Sequence, residues 1–494
     1  MSSHFKLVTG SETLASSFLP ASGQFINGKV VPSHSSETIE VLDPATEKVI
    51  TRVARGNQQD VDDAVKAARA AAKTWGKTVP KDRADVLNAI ADRIQELRDE
   101  FIALEALDTG KPIMVSEIDI DLTIDCFRFF AGAARAFTTM GGGQYVADNT
   151  SVILREPVGV VGVITPWNYP IMMAAWKLGP ILGGGNTAII KPSEITPLTT
   201  LKLAEVIADL VPAGVVNIVT GTGSVVGNAL SSHPGIDLVA LTGSVNSGRL
   251  VAESAGSTLK RVHLELGGKA PVIVYADADL EAAAAGIRTA GYWNSGQECG
   301  AGCRVIVHES VAEEFTKHLV REVGTLVVGS PSGGSSVEIG PVVSKAHFDR
   351  VMKAIDLAKE QGATVALGGH GFEEDGYYIA PTVLTNVSPT SSIATEEAFG
   401  PVVSVETFSD AEEVIERANA TVYGLSASVW TTDAKTSIKA PQELDFGTVW
   451  VNSHLILANE VPWGGFKGSG YGRDLSVYAL EDFTRTKHVM INHA

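Results

Sequence analysis

Cys299 closes the run Asn294-Ser295-Gly296-Gln297-Glu298-Cys299 and precedes a glycine-rich stretch, Gly300 to Gly302. Backbone N–H groups aimed at a sulfur from such turns favour the thiolate and lower its pKa. A lone cysteine is more often a small buried residue, and Cys126 and Cys303 are read that way. Glu265 stands between leucines in Leu264-Glu265-Leu266-Gly267-Gly268-Lys269. A carboxylate in apolar surroundings has a raised pKa and suits general-base work, although a turn or edge carboxylate reads the same way. Asn168 lies between two prolines in Thr165-Pro166-Trp167-Asn168-Tyr169-Pro170. A side-chain amide held rigidly there is an oxyanion donor, and a turn asparagine is the plainer alternative.

Two further segments suggest a nucleotide. Gly221-Thr222-Gly223-Ser224-Val225-Val226-Gly227 resembles a dinucleotide fingerprint whose last spacing is one residue too long. Lys191-Pro192-Ser193-Glu194 offers a lysine and an acid to the hydroxyls of a ribose. The acid would pair with a free 2′-OH and repel a 2′-phosphate, whereas a solvated loop pair is the ordinary reading.

These residues need a frame. Short apolar runs alternate with helical stretches from Gly159 to Tyr275: Val160 to Ile164, Thr187 to Ile190, Val215 to Val219, Leu238 to Leu241, and Val262 to Leu264. That rhythm predicts a parallel, doubly wound α/β sheet. A second series, at Val272 to Val274, Val305 to Val307, Val402-Val403 and Val449 to Val451, predicts another α/β unit. Upstream, Asn27-Gly28 marks a turn. Asp82 to Leu107 carries one apolar stripe, and a third helix covers Ile113 to Thr138. The Ser-rich first 22 residues read as a loose arm.

Composition narrows the classes. The chain has 39 basic and 57 acidic residues, for a net charge of −18, which lacks the basic footprint of a nucleic-acid or anionic-membrane binder. Three cysteines exclude a disulfide scaffold. Met1 to Gly10 shows no signal-peptide pattern, and no apolar run approaches the ~18 residues of a membrane span. A cytoplasmic protein is expected.

Taken in order, these motifs strongly resemble the aldehyde dehydrogenase superfamily from about Phe25 to the C-terminus. Leu241-Thr242-Gly243-Ser244, Glu396 to Pro401 and Pro462 to Gly470 belong to the same resemblance. It implies a Rossmann-like cofactor domain (23–136 and 158–268), an α/β catalytic domain (269–472) and a small bridging β element (137–157 and 473–494) that joins a homodimer or homotetramer. It also implies that Cys299 attacks an aldehyde, that Asn168 and the Cys299 N–H hold the oxyanion, and that Glu265 activates water against the thioester. NAD is the implied cofactor. Its contacts carry over to Ile164, Trp167, Lys191, Ser193, Glu194, Gly223, Ser244, Leu266, Glu397 and Phe399, with no metal. Asp474 departs from the glutamate of many relatives.

For the substrate, the family's tunnel matches Tyr169, Trp176, Trp293 and Trp463. These aromatics resemble the box of aminoaldehyde and betaine-aldehyde dehydrogenases, and aromatic faces attract cations by roughly 0.5–2 kcal/mol each. Glu117, Asp119, Asp121 and Asp125 lie on the third helix; Asp119 matches an acid of amino-aldehyde oxidisers, while Leu122 replaces a second one. Cys126 to Gly132 and Met172 to Leu178 look most like bacterial 4-aminobutyraldehyde dehydrogenases. The implied reaction is 4-aminobutanal to 4-aminobutanoate, with betaine aldehyde or broad specificity as alternatives.

Overall fold

The computed structural model describes residues 5–10, 18–139 and 141–494. Its larger sheet has eight strands. From edge to edge these are Gly470–Tyr471, Arg261–Leu266, Leu238–Gly243, Val160–Ile164, Thr187–Lys191, Val216–Ile218, Gln24–Ile26 and Lys29–Val31. The middle five are parallel, and strand order reverses beside Val160–Ile164. Val160–Ile164 and Thr187–Lys191 are buried at every position, so apolar residues run consecutively through Val160–Ile164 and Ala188 to Ile190 rather than alternating. The edge hairpin turns at Asn27 (φ 55°) and Gly28 (φ 76°), the paired left-handed residues of a type I′ turn.

The second sheet has seven strands, in the order Thr364–Leu367, Thr382–Thr385, Val402–Phe408, Arg304–His308, Pro271–Val274, Ser426–Trp430 and Thr448–Val451. All but the first are parallel. Ser426–Trp430 escapes a hydropathy reading because two of its five residues are serines; it is fully buried, and Ser428 hydrogen-bonds His454. A three-stranded antiparallel sheet joins Thr484–Asn492 to Asn149–Pro157 and Gly142–Val146.

Two expectations change. The single stripe from Asp82 to Leu107 is two helices, Pro80–Glu96 and Arg98–Thr109, because Leu97 leaves the helical region (φ −104°, ψ 18°). The break lets Leu87, Ile90 and Ile94 pack with the helix Ile113–Ala136 while the second segment reaches Leu198–Ile207. The arm is also not loose where it is described. Phe5 is buried in the second sheet's core, and Val8 bonds Val328 and Ser330 through its backbone. Residues 1–4 and 11–17 lie outside the described residues. Among the described residues no helix is long and apolar enough to cross a membrane.

Candidate active site

The carboxyl ends of the first sheet's central strands open where strand order reverses, the usual ligand position in such sheets. Pro166, Trp167 and Asn168 leave Val160–Ile164; Thr242 to Ser244 leave Leu238–Gly243; Glu265 to Gly267 end Arg261–Leu266. The second sheet closes this cavity with Glu298, Cys299, Glu397 and Phe399. Cys299, Glu265 and Asn168, separated by up to 131 residue positions, therefore face one space.

The Cys299 loop is held on both sides. Asn294, Ser295 and Gly296 are all left-handed, with φ of 49°, 57° and 71°. A Cβ on Gly296 would meet the Gly400 oxygen at 2.0 Å, so only glycine fits. The Gln297 carbonyl accepts from Asn168 Nδ2 (3.0 Å) and Asn294 Nδ2 (3.3 Å), and Gln297 Oε1 accepts from the Val343 N–H. Beyond the cysteine, His454 Nε2 contacts the Gly300 oxygen at 2.7 Å. Asn168 thus spends one amide proton on Gln297 and keeps the other.

The expectation of a depressed thiol pKa fails in this structure. Burial pushes the Cys299 thiol well up, and the neighbouring Glu298 charge adds to it. Sγ donates to Glu298 Oε1 at 3.3 Å, and the same oxygen accepts the Gly300 N–H at 3.0 Å. Glu298 escaped the sequence reading because adjacency along a chain does not say which way a side chain turns.

Glu265 is 3% exposed, and neither carboxylate oxygen has a hydrogen-bond partner. Burial raises its pKa well above the usual range, with the Asp474 charge second. Asp474 is fully buried between Lys177 Nζ (2.5 and 2.7 Å) and His263 Nε2 (3.1 Å). Burial would raise it too, but Lys177 and His263 outweigh burial and hold it low. His263 stacks on Phe483 and also contacts Asp474. Trp463 and Asp474 exchange backbone hydrogen bonds of 2.9 and 2.8 Å, tying the cavity wall to this charged group.

On the nucleotide side, Ile164 and Lys191 end adjacent parallel strands. Lys191 Nζ bonds the Pro192 and Gly221 oxygens and Glu194 Oε2. Glu194 Oε1 accepts the Gly223 N–H at 3.3 Å. Burial works against the Glu194 charge, but Lys191 and Gly223 keep the carboxyl below its usual range. Ser193 is buried, and Ser244 caps the helix Val245–Gly256. Leu266, Glu397 and Phe399 line the shared cavity. Trp167 packs edge-on to Phe399, and Glu397 accepts the Gly268 N–H. Burial raises Glu397 to about 7. An ionised acid among strand carboxyl ends fits a nucleotide with free ribose hydroxyls.

The substrate side is partly as expected. Tyr169, Trp176 and Trp463 line the cavity with Met172, Met173 and Leu457. Trp293 is not among the lining residues; it packs against the core beside the Cys299 loop. Asp119 lies off the cavity wall. It lies in the interior at 1% exposure, 2.5 Å from Lys111 Nζ, which also pairs with Glu105 at 2.9 Å. Its carboxylate is engaged within the protein and does not line the cavity. Asp121 is paired with Arg98, and Asp125 bonds Asn459. Lys111 also lies 4.3 Å from the centre of the Tyr169 ring. No charge pattern in the sequence pointed to Lys111, since the Pro112 turn brings it back to a helix that starts after it.

Residues 30–489 match the aldehyde dehydrogenase family. The chain is 40% identical to the chloroplastic betaine aldehyde dehydrogenase of Beta vulgaris, over 95% of this chain and 96% of that one. It is also 40% identical to a chloroplastic aminoaldehyde dehydrogenase of Arabidopsis thaliana, over 96% of each. Betaine aldehyde dehydrogenase from Staphylococcus aureus, solved in complex with NAD+, superposes with a TM-score of 0.93 at 38% identity, covering 96% of this chain and 95% of that one. The chain belongs to the aldehyde dehydrogenase family.

Proposed function

We propose that this aldehyde dehydrogenase oxidises a cationic aldehyde with NAD, with 4-aminobutanal going to 4-aminobutanoate as the leading reaction. The observation that carries this reading is a single cavity wall. It joins Cys299 and Glu265 to the aromatic rings of Tyr169, Trp176 and Trp463 and to the Glu298 carboxylate. Such rings favour a positive head over a neutral one. Relatives named for betaine aldehyde and for aminoaldehydes support the same class. Betaine aldehyde is the second reading, because a trimethylammonium head suits the same rings.

The Cys299 sulfur attacks the carbonyl carbon, and the remaining Asn168 amide proton and the Cys299 N–H hold the oxyanion. Bound NAD supplies the hydride acceptor. Leu266, Glu397 and Phe399 would hold its reactive end, and Lys191, Ser193 and Glu194 its ribose, with Ile164, Trp167, Gly223 and Ser244 around it. The ionised Glu194 favours NAD over NADP. Glu265, once ionised, is a strong base because of its burial, and it takes a proton from the water that cleaves the thioester. A cytoplasmic homodimer or homotetramer joined through the three-stranded sheet completes the reading. Tyr145, Val146 and Ile491 on that sheet are exposed, which supports such a contact.

The test is kcat/KM for 4-aminobutanal, 3-aminopropanal, betaine aldehyde, hexanal and phenylacetaldehyde, each with NAD and NADP. The cationic aldehydes should exceed the neutral ones by about tenfold or more, the worth of one desolvated cation–π contact. Equal values for hexanal and 4-aminobutanal would overturn the cationic reading.

A further inference from the structure

Burial and the Glu298 charge leave the Cys299 thiol with little thiolate at neutral pH. The sulfur attacks only if its proton leaves as the new bond forms, which requires an acceptor already in contact. Neither Glu265 oxygen has a hydrogen-bond partner, so Glu265 makes no direct contact with the sulfur. Sγ instead donates to Glu298 Oε1 at 3.3 Å. The Gly300 N–H fixes that oxygen at 3.0 Å, and the His454 contact with the Gly300 carbonyl fixes the peptide beyond it.

We propose that Glu298 is the catalytic base for Cys299, taking the thiol proton as sulfur attacks and returning it when the thioester is cleaved. This rests on Cys299 being the nucleophile. In the first step the S–C bond forms, the carbonyl π pair moves to oxygen, and the thiol proton passes to the Glu298 carboxylate. In the last, water adds to the thioester and gives a proton to Glu265. The C–S bond then breaks, and the departing sulfur recovers its proton from Glu298. The two carboxylates thus divide the proton transfers, Glu298 serving the sulfur and Glu265 serving the water. The titratable groups facing the pair are Glu265 and Glu397 across the cavity, and Tyr169 with Asp119 and Lys111 behind it. His454, pushed down to about 4 by burial, stays neutral through the working range.

The experiment is inactivation by iodoacetamide from pH 6 to 10, on wild type, Glu298→Gln and Glu298→Asp, with peptide mapping of the labelled cysteine. Glu298→Gln should react at least ~10-fold more slowly at pH 7, and the gap should close toward pH 10 as hydroxide replaces the base. Glu298→Asp, which keeps a carboxylate, should fall between the two. If Glu298→Gln reacts as fast as wild type or faster at pH 7, the carboxylate only repels the thiolate and the proposal falls. Labelling at Cys126 or Cys303 instead, or aldehyde oxidation surviving in Cys299→Ala, would overturn the nucleophile itself, a failure visible separately from that of Glu298.

Discussion

Two buried lysine–aspartate pairs flank the aromatic side of the cavity, and they are chemically alike but differently connected. Lys177 and Asp474 are both fully buried, and Asp474 also meets His263 and raises the pKa of Glu265. Lys111 and Asp119 are equally buried, but their further partners are Glu105 and, through it, Thr199. The first pair adjusts the charge state of a cavity carboxylate. The second closes on itself and leaves only an ammonium beneath Tyr169. An acid near a substrate path is therefore not a substrate acid when a lysine already holds it.

Breaking the first network at its cavity end has the largest expected effect. Glu265→Gln should lower steady-state turnover by ~100- to 10,000-fold, the range for a lost general base, while iodoacetamide labelling of Cys299 persists. Next come the pairs themselves. Asp474→Asn leaves Lys177 buried without its carboxylate and should cost about 3–5 kcal/mol in denaturant unfolding. Asp119→Asn should cost less, about 1–3 kcal/mol, because Glu105 still holds Lys111. The pH profiles separate the two. Removing the Asp474 charge lowers the Glu265 pKa, so the pH limb of kcat assigned to Glu265 should move to lower pH, whereas Asp119→Asn should leave it in place.

A neutral buried histidine provides the contrast to both ion pairs. His454, with a folded pKa of about 4 against 6.5, cannot take up the proton that the unfolded chain binds between those values. Stability is therefore full above pH 6.5 and falls as pH drops toward 4, by on the order of 3 kcal/mol. His454→Gln should flatten that slope in thermal melts, leaving the similar contribution of His347, also pushed down to about 4 by burial. The smallest effect expected is on specificity. The ratio of kcat/KM for 4-aminobutanal over hexanal should stay within about twofold in Asp119→Asn, because the Asp119 carboxylate does not line the cavity. A collapse of that ratio would reinstate Asp119 as a substrate contact.

Much of the frame was legible because burial on both faces favours apolar runs, as in Val160–Ile164 and at Ala188, Ile189 and Ile190. Ser426–Trp430 was not legible, since two of its five residues are serines, and Ser428 is accommodated in the interior by its hydrogen bond to His454. Leu97 was not either, because nothing in an apolar stripe marks where a helix changes direction. At the site, Cys299, Glu265 and Asn168 each read as a candidate beside a plainer alternative until the family resemblance singled them out, and the cavity gathers them. Lys111 and Glu298 were hidden for one reason. Their roles depend on contacts across space, Lys111 with a ring and two acids, and Glu298 with the sulfur beside it. Spacing along a chain encodes neither.

The paired backbone hydrogen bonds between Trp463 and Asp474 carry a consequence for evolvability. The Trp463 ring on the cavity wall and the carboxylate that adjusts Glu265 are carried on one paired stretch of main chain. A change at position 463 that shifts this main chain also shifts the Asp474 carboxylate, and with it the charge state of Glu265. Trp176 carries the same burden by another route, since Lys177, which holds Asp474, follows it on the helix Pro170–Gly183.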